Sequence, residues 1–376
     1  MTFFAKTLAG LSTRKRPAAA RRATSATDLA ELTGFGSNPG ALSAKIHVPA
    51  SLQQKAALVV VLHGCTQTAS GYDAGSGWSR LADEQGFAVL FPEQNRGNNA
   101  NLCFNWFETH DIARGGGEVL SIRQMVDAMI RQHGLDDRRV FVTGLSAGGA
   151  MAGAMLAAYP DVFAGGAIIA GLPYATAGSV PEALERMRGG NMPDTASLQA
   201  RLREAVDHSG PWPTISVWHG TDDKTVVPAN ALAIIEQWRG VHGVDADPSH
   251  QEAIGRHIRQ VWPDADGNVL IECYSISGMG HGTPIDQASG YGKRAPFMID
   301  IGLSSTELIA RSWQLTASFG LERPSPAVKT APRTELAATR GRKGAKRASG
   351  ESQQVPLVGN VQKIIEDALR SAGLMK

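Results

Sequence analysis

The sequence has little cysteine, little net charge and no long apolar run. Three cysteines, at positions 65, 103 and 273 of 376, are too few and too scattered for a disulfide framework or a zinc site. A net charge of +2 supplies no global field for nucleic acid or an anionic membrane. No run approaches the roughly 20 apolar residues that a membrane-spanning helix requires. We therefore expect a soluble protein without a metal site and without a membrane partner.

The apolar residues that are present, 43% of the chain, are enough for a large core. Short apolar runs typical of buried strands alternate with segments of helical spacing. The predicted strands are residues 45–48, 57–62, 87–92, 140–142, 166–170, 214–218 and 269–276, and the predicted helices are 77–84, 118–133, 147–158, 230–241 and 304–319. This alternation predicts an α/β protein with a doubly wound, mostly parallel sheet and helices on both faces.

Composition divides the chain into a folded domain and flanking segments. Residues 1–40 are predicted to be a disordered leader, and residues 41–321 a single globular domain with a small helical cap insertion at about 179–210. Residues 322–354 are rich in Pro, Ala, Lys and Arg, which indicates a disordered basic linker. Residues 355–376 carry apolar positions at helical spacing, which predicts an amphipathic C-terminal helix.

A Gly-x-Ser-x-Gly turn joins the apolar run at 140–142 to a helix of small residues. Such a turn is a nucleophile elbow, in which Ser146 lies at the tip and the glycines at 144 and 148 avoid collisions in a strained backbone. The N–H of Ala147, at the start of the helix, has no intrahelical partner and can donate to an oxyanion.

Two further polar motifs follow predicted strands, at the edge where an open α/β sheet places its active site. Asp222 and Asp223 follow the strand at 214–218, and His281 lies in a glycine-rich loop after the next strand. Imidazole titrates near neutral pH, so His281 is the candidate base for Ser146. An acid must hold the ring in the right tautomer. We assign that role to Asp223, although its neighbour is an alternative that spacing alone does not exclude.

The second oxyanion donor is expected in the loop after the strand at 57–62. We predict the backbone N–H of Cys65, with that of Thr66 as the alternative. The Cys65 thiol is either a buried free cysteine or the partner of Cys103, which lies in a long loop, residues 94–118, that should overhang the same site. Loops of this length in a compact domain are usually functional or disordered.

Together these motifs resemble the esterase family of polyhydroxybutyrate depolymerases, to which feruloyl and acetylxylan esterases are related. The motifs are residues 62–67, 103–107, 144–149, 219–226 and 278–284, within a resemblance that covers residues 46–319. The chain order of serine, acid and histidine is the one that α/β-hydrolases use. The resemblance implies an α/β-hydrolase fold, no cofactor, and hydrolysis of carboxylic esters through a Ser-His-Asp acyl-enzyme mechanism.

The resemblance also bears on individual residues. In this family the acid is the aspartate two places after the His-Gly-Thr motif, which is Asp223 here. The family's aromatic loop near the cleft corresponds to the region of Trp106. We predict that Trp106 and the amide of Asn105 bind substrate. The family's secreted members carry a signal peptide, which is not recognisable here, so we expect a cytoplasmic location, with the extracellular one typical of the family as the alternative.

Three functions are then in competition. The first is a serine esterase acting on short-chain or 3-hydroxyacyl esters, on their oligomers, or on polymer. The second is a feruloyl or acetylxylan esterase acting on polysaccharide esters. The third, of a different class, is a non-catalytic or nucleic-acid-associated protein that uses the basic residues 340–347, although a basic run is usually only a solvated segment. No nucleic-acid partner is expected, and the sequence does not give the oligomeric state.

Overall fold

The computed structural model describes residues 29–316, which form a large sheet, a small sheet and nine α-helices. The strands are β1 (Ala30–Glu31), β2 (Ser43–His47), β3 (Leu58–Leu62), β4 (Ala88–Glu93), β5 (Val140–Leu145), β6 (Gly165–Ile169), β7 (Thr214–Gly220), β8 (His250–Ile254), β9 (His257–Pro263), β10 (Val269–Ile276), β11 (Thr283–Ile285) and β12 (Met298–Asp300). The helices are α1 (Ala69–Ser76), α2 (Trp78–Gln85), α3 (Thr109–Ile112), α4 (Gly117–His133), α5 (Ala147–Ala158), α6 (Val180–Met187), α7 (Thr195–Arg203), α8 (Ala229–His242) and α9 (Ser305–Ser312).

The large sheet has the strand order β1-β2-β4-β3-β5-β6-β7-β10-β9-β8. Its centre, from β4 to β10, is parallel. Its margins are antiparallel, with β1 and β2 on one side and the β8–β9 hairpin on the other. Because parallel strands end at the same edge of a sheet, the loops after β3, β5, β7 and β10 come together there.

The central strand β3 shows why the sheet has helices on both faces. Leu58, Val60 and Leu62 pack into the core that contains α4, α5 and α8, whereas Val59 and Val61 pack into the core that contains α1, α2 and α9. Successive side chains of a strand point to opposite faces, so a strand between two cores must be apolar throughout. Burying each of these side chains stabilises the fold by about 1.5–3 kcal/mol.

The predicted doubly wound α/β architecture is confirmed. Within residues 29–316, no helix has both the length and the apolar character needed to cross a bilayer. Helices α6 and α7 lie in the predicted cap insertion. They begin at polar caps, where Ser179 accepts from the Glu182 N–H and Asp194 accepts from the Ser197 N–H.

The prediction of a disordered leader over residues 1–40 is wrong for its last part. Strand β1 pairs with β2, and the Gly40 N–H donates to Ser121 Oγ at 2.8 Å. Residues 29–40 are therefore held by backbone pairing and side-chain acceptors, which a count of apolar residues does not detect. Residues 1–28 lie outside the described part of the chain.

Two other elements differ from expectation. The β8–β9 hairpin was not predicted, because its first strand is mostly polar and exposed and shows no apolar run. The helix predicted over 304–319 ends at Ser312, and Gln314 has a left-handed φ of 55° that ends the helical path. The predicted linker, 322–354, and the predicted terminal helix, 355–376, lie outside the described residues and stay predictions.

Candidate active site

The elbow between β5 and α5 holds Ser146 at φ 58° and ψ −118°. A non-glycine residue at positive φ stores strain of about 1–3 kcal/mol, and such strain is common at active sites. An added Cβ at Gly144 would lie 2.4 Å from the Gly148 carbonyl oxygen, and one at Gly148 would lie 2.4 Å from that of Leu62. Only glycine at both positions therefore lets the elbow lie against the end of β3.

Ser146, His281 and Asp223 form one continuous chain of hydrogen bonds. His281 Nε2 lies 2.9 Å from Ser146 Oγ, and His281 Nδ1 lies 2.7 Å from Asp223 Oδ2. A carboxylate only accepts, so Nδ1 carries the ring proton and Nε2 accepts from the serine hydroxyl. The side chains of His281 and Asp223 are 8% and 0% exposed, which removes competing water from the chain.

The two adjacent aspartates have different environments. Asp223 Oδ1 accepts from the N–H groups of Thr225 and Val226, both at 2.9 Å, which aims Oδ2 at the histidine. Asp222 is exposed, and its Oδ1 accepts only from Thr221 Oγ1 among residues 29–316. The turn after β7 therefore sends one carboxylate into the site and the other into solvent.

A second histidine, His219, lies behind the acid at the end of β7. Its Nε2–H donates to the Val226 carbonyl at 2.7 Å and lies 3.5 Å from Asp223 Oδ2. Burial lowers the pKa of His219, so the ring is neutral at pH 7 and adds no charge beside the acid. The motif after β7 included this residue, but the sequence offered no reason to assign it a role.

The predicted oxyanion donors lie on the two loops that meet at the serine. Neither the Cys65 N–H nor the Ala147 N–H donates to another group in residues 29–316, whereas the Thr66 N–H donates to the Asn101 carbonyl at 2.7 Å. Of the two alternatives in this loop, only the Cys65 N–H is therefore available. The Cys65 thiol is bonded to Cys103 in a disulfide.

A buried carboxyl group anchors the loop that contributes Cys103 through hydrogen bonds. Glu118 Oε1 accepts from Gln94 Nε2 at 2.6 Å and from Asn98 Nδ2 at 3.1 Å, and Oε2 accepts from the Asn105 N–H at 2.9 Å. Gln94 Nε2 also donates to the Cys103 carbonyl. Burial raises the pKa of Glu118 to about 8, against the opposing effect of its hydrogen bonds. The sequence indicated only a helix start here.

Trp106 and Asn105, predicted to bind substrate, do not line the cavity at Ser146. Trp106 is 6% exposed and packs in the core, and Asn105 Oδ1 accepts from Asn99 Nδ2. A large aromatic ring gains more from burial than from a place in solvent. The substrate role of both residues stays a prediction that no contact supports.

The cavity beside the serine has a volume of about 40 Å³. It is lined by Gly64, Cys65, Leu145, Ser146, Met187, Thr225, His281 and Phe297. Met187 and Phe297 come from the cap and from a loop beyond the histidine, and neither belongs to a sequence motif. Within residues 29–316, no group of three or more His, Cys, Asp or Glu side chains could hold a metal ion.

Known proteins are similar to this chain in sequence and in fold. The family model described as esterase PHB depolymerase matches residues 42–260. The chain belongs to this family. It is 46% identical over 287 residues to poly(3-hydroxyalkanoate) depolymerase C of Paucimonas lemoignei, a match that covers 75% of this chain and 69% of that relative.

Other relatives of this chain carry the names of different esterases. Probable acetylxylan esterase A of Aspergillus fumigatus is 32% identical over 273 residues, covering 71% of this chain and 72% of the relative. Feruloyl esterase B of Talaromyces funiculosus is 30% identical over 270 residues, covering 69% and 75%. The solved structure of acetyl xylan esterase from Aspergillus awamori superposes with a TM-score of 0.65 at 28% identity, covering 70% of this chain and 97% of that one. This PHB depolymerase-family protein is therefore an α/β-hydrolase and a serine carboxylic ester hydrolase.

Proposed function

We propose that Ser146, His281 and Asp223 carry out ester hydrolysis through an acyl-enzyme. Ser146 Oγ attacks the ester carbonyl carbon while His281 Nε2 takes the hydroxyl proton. The carbonyl oxygen becomes an oxyanion that accepts from the N–H groups of Cys65 and Ala147. His281 then gives its proton to the leaving alcohol oxygen. The observation that carries this proposal is the unbroken hydrogen-bond chain from Ser146 Oγ to Asp223.

The second half of the cycle uses the same groups. His281 Nε2 takes a proton from water as the water oxygen attacks the acyl carbon, and the proton then returns to Ser146 Oγ as the acid product leaves. Asp223 holds the ring in the Nδ1–H tautomer and stabilises the imidazolium that forms in each half. No cofactor takes part in this cycle.

The proposed substrates are short-chain or 3-hydroxyacyl esters and their oligomers, with polymer as a further candidate. The name of the 46% identical relative, poly(3-hydroxyalkanoate) depolymerase C, supports the hydroxyacyl class. A cavity of about 40 Å³ favours a short acyl group. The cap also carries arginines, Arg186, Arg188, Arg201 and Arg203, rather than the apolar surface of a lipase lid.

A second candidate is removal of acetyl or feruloyl groups from polysaccharide. It is supported by the match to the acetyl xylan esterase structure, which this chain covers over 97% of that chain's length. An acetyl group is also small enough for the cavity beside the serine. Nucleic-acid binding through residues 340–347, the function of a different class, lies outside the described residues, and nothing at the site favours it.

We also propose that the enzyme works in an oxidising compartment. The Cys65–Cys103 disulfide joins the proposed oxyanion loop to its neighbour, and disulfides persist in extracellular and periplasmic proteins rather than in the reducing cytosol. This observation favours the extracellular alternative over the cytoplasmic location expected from the sequence.

The test of the mechanism is a set of four variants assayed on an aryl butyrate. Ser146→Ala and His281→Ala should each lower kcat by several orders of magnitude, because members of a triad act as a unit. Asp223→Asn should cost clearly more than Asp222→Asn, which serves as the matched control. Near wild-type turnover by a verified Ser146→Ala protein would contradict the proposal, and the reverse order of the two asparagine variants would contradict the acid assignment.

The substrate class is tested by specificity constants on one panel of esters. The panel contains aryl acetate, butyrate, octanoate and palmitate, 3-hydroxybutyrate oligomers and methyl ferulate. We expect the highest kcat/KM on butyrate and 3-hydroxybutyrate esters. A maximum at palmitate would exclude the short-acyl proposal, and a maximum at methyl ferulate would favour the second candidate.

A further inference from the structure

The cap reaches the cavity beside Ser146 through one side chain. Met187, the last residue of α6, lines that cavity. The buried residues of the two cap helices, Ala183, Leu198 and Leu202, belong to the buried apolar core of the domain. Met187 is thus the apolar contact between a mostly polar insertion and the reacting groups.

The backbone of Met187 is tied to the loop that carries the acid. Its carbonyl accepts from the Val227 N–H at 2.8 Å and from Asn230 Nδ2 at 3.3 Å. The residue before Val227 donates its own N–H to Asp223 Oδ1. These hydrogen bonds therefore fix the position of Met187 relative to the loop that carries Asp223.

Phe297, the residue before β12, lines the same cavity. Its ring centroid lies 6.3 Å from that of His281 at an interplanar angle of 74°. Its φ of 65° is a left-handed conformation that a bulky residue rarely adopts. The Thr283 N–H donates to its carbonyl at 2.7 Å, which holds this conformation in place. Strain of this kind at a ligand site is typical of a side chain placed for function.

We propose that Met187 and Phe297 are specificity-determining residues that close the cavity to long apolar chains. The inference deepens the proposed esterase function and rests on it. Both side chains are apolar, both border the space beside Ser146 Oγ, and both are held by backbone hydrogen bonds. A pocket discriminates between chain lengths by such walls, by about 10-fold or more for each methylene that fits or fails to fit.

The first experiment replaces Met187 by alanine and uses the same replacement at a nearby methionine as its control. Met192 lies in the same insertion, between α6 and α7, and does not line the cavity. In Met187→Ala, the ratio of kcat/KM on octanoate to that on acetate should rise about 10-fold or more, whereas Met192→Ala should keep the wild-type ratio. Met187→Phe should shift the ratio the other way. Aryl esters vary the acyl chain, and a series of alkyl butyrates varies the alcohol.

The second experiment separates the Phe297 ring from its backbone conformation. Phe297→Gly removes the ring and relieves the positive φ, Phe297→Ala removes the ring alone, and Phe297→Leu keeps apolar bulk if the smaller variants do not fold. Loss of the ring should raise relative activity on long chains in both Gly and Ala variants. Unchanged ratios in both ester series, for folded variants of both residues, would overturn the inference. Because Ser146→Ala is assayed alongside, a failure of the mechanism itself is recognised separately.

Discussion

Two segments border the site, and they are built in opposite ways. The segment 94–118 has little regular structure apart from α3, yet it contributes Phe104, Trp106 and Ile112 to the core. It is closed by a disulfide and by the buried carboxyl of Glu118. The cap, residues 179–210, is largely helical, but many of its side chains are exposed and polar.

The difference shows that regular secondary structure and depth of anchoring are separate properties. The irregular segment serves the site indirectly, by holding Cys103 and through it the Cys65 loop. The cap supplies the direct apolar contact, through Met187. Length alone therefore does not make a loop mobile. Backbone N–H and C=O groups of this loop form hydrogen bonds within the protein.

The largest expected effect comes from opening the disulfide, which would weaken the anchoring of the segment 94–118. The two cysteines are 38 residues apart, and in the chain-entropy model a loop of that size stabilises the fold by about 4 kcal/mol. Cys103→Ser should lower the free energy of unfolding by about that amount in a denaturant titration. A reductant should bring the wild type to the same value and leave the variant unchanged. Equal stability of oxidised and reduced wild type would contradict this.

The buried carboxyl should make the stability of this segment depend on pH. Burial raises the pKa of Glu118 to about 8, above the ordinary value of 4.5. The folded state therefore binds the proton more tightly, so its contribution is complete below pH 4.5 and is lost as the pH rises through 8. The slope within this window is at most about 1.4 kcal/mol per pH unit.

Glu118→Gln, which cannot ionise, should remove this slope. The measurement is the denaturant midpoint of both proteins at pH 5, 6.5 and 8. Parallel lines for wild type and variant would mean that Glu118 does not titrate in this window.

The smallest of these effects should come from the cap anchor. Asn230 Nδ2 donates to the carbonyls of Arg186, Met187 and Val227. Asn230→Ala should lower the free energy of unfolding by about 1–2 kcal/mol and speed amide exchange in α6. Glu204→Ala, at an exposed cap position, should stay within about 0.5 kcal/mol of wild type. A loss as large as that of Cys103→Ser would mean that the cap is anchored as deeply as the segment 94–118.

Local patterns explain why much of the fold and the proposed triad were predictable. The elbow at Ser146 depends on glycines within two residues of it, and the central strands are continuous apolar runs, so each is visible in a short window. The motifs after β7 and β10 follow strands whose ends meet at one edge. Asp223 and His281 were therefore predictable as neighbours of the serine.

Contacts between distant segments explain what the sequence did not reveal. Met187 and Phe297 reach the cavity because the cap and a late loop fold over it, and neither carries a local signal. Trp106 was expected at the cleft because the family resemblance places an aromatic loop there, and in this structure its side chain packs in the core. The ordering of residues 29–40 depends on the pairing of β1 with β2 and on a partner 81 positions away, Ser121.

The margins of the large sheet have a consequence for solubility. An unpaired strand edge is a template on which another chain can add a strand, the first step of fibre growth. Within residues 29–316, one margin is β1, only two residues long, and the other is β8, which carries the polar side chains of His250, Gln251 and Glu252. We expect the short strand at one margin and the polar side chains at the other to disfavour strand addition, so that residues with no part in the proposed catalysis limit aggregation at high concentration.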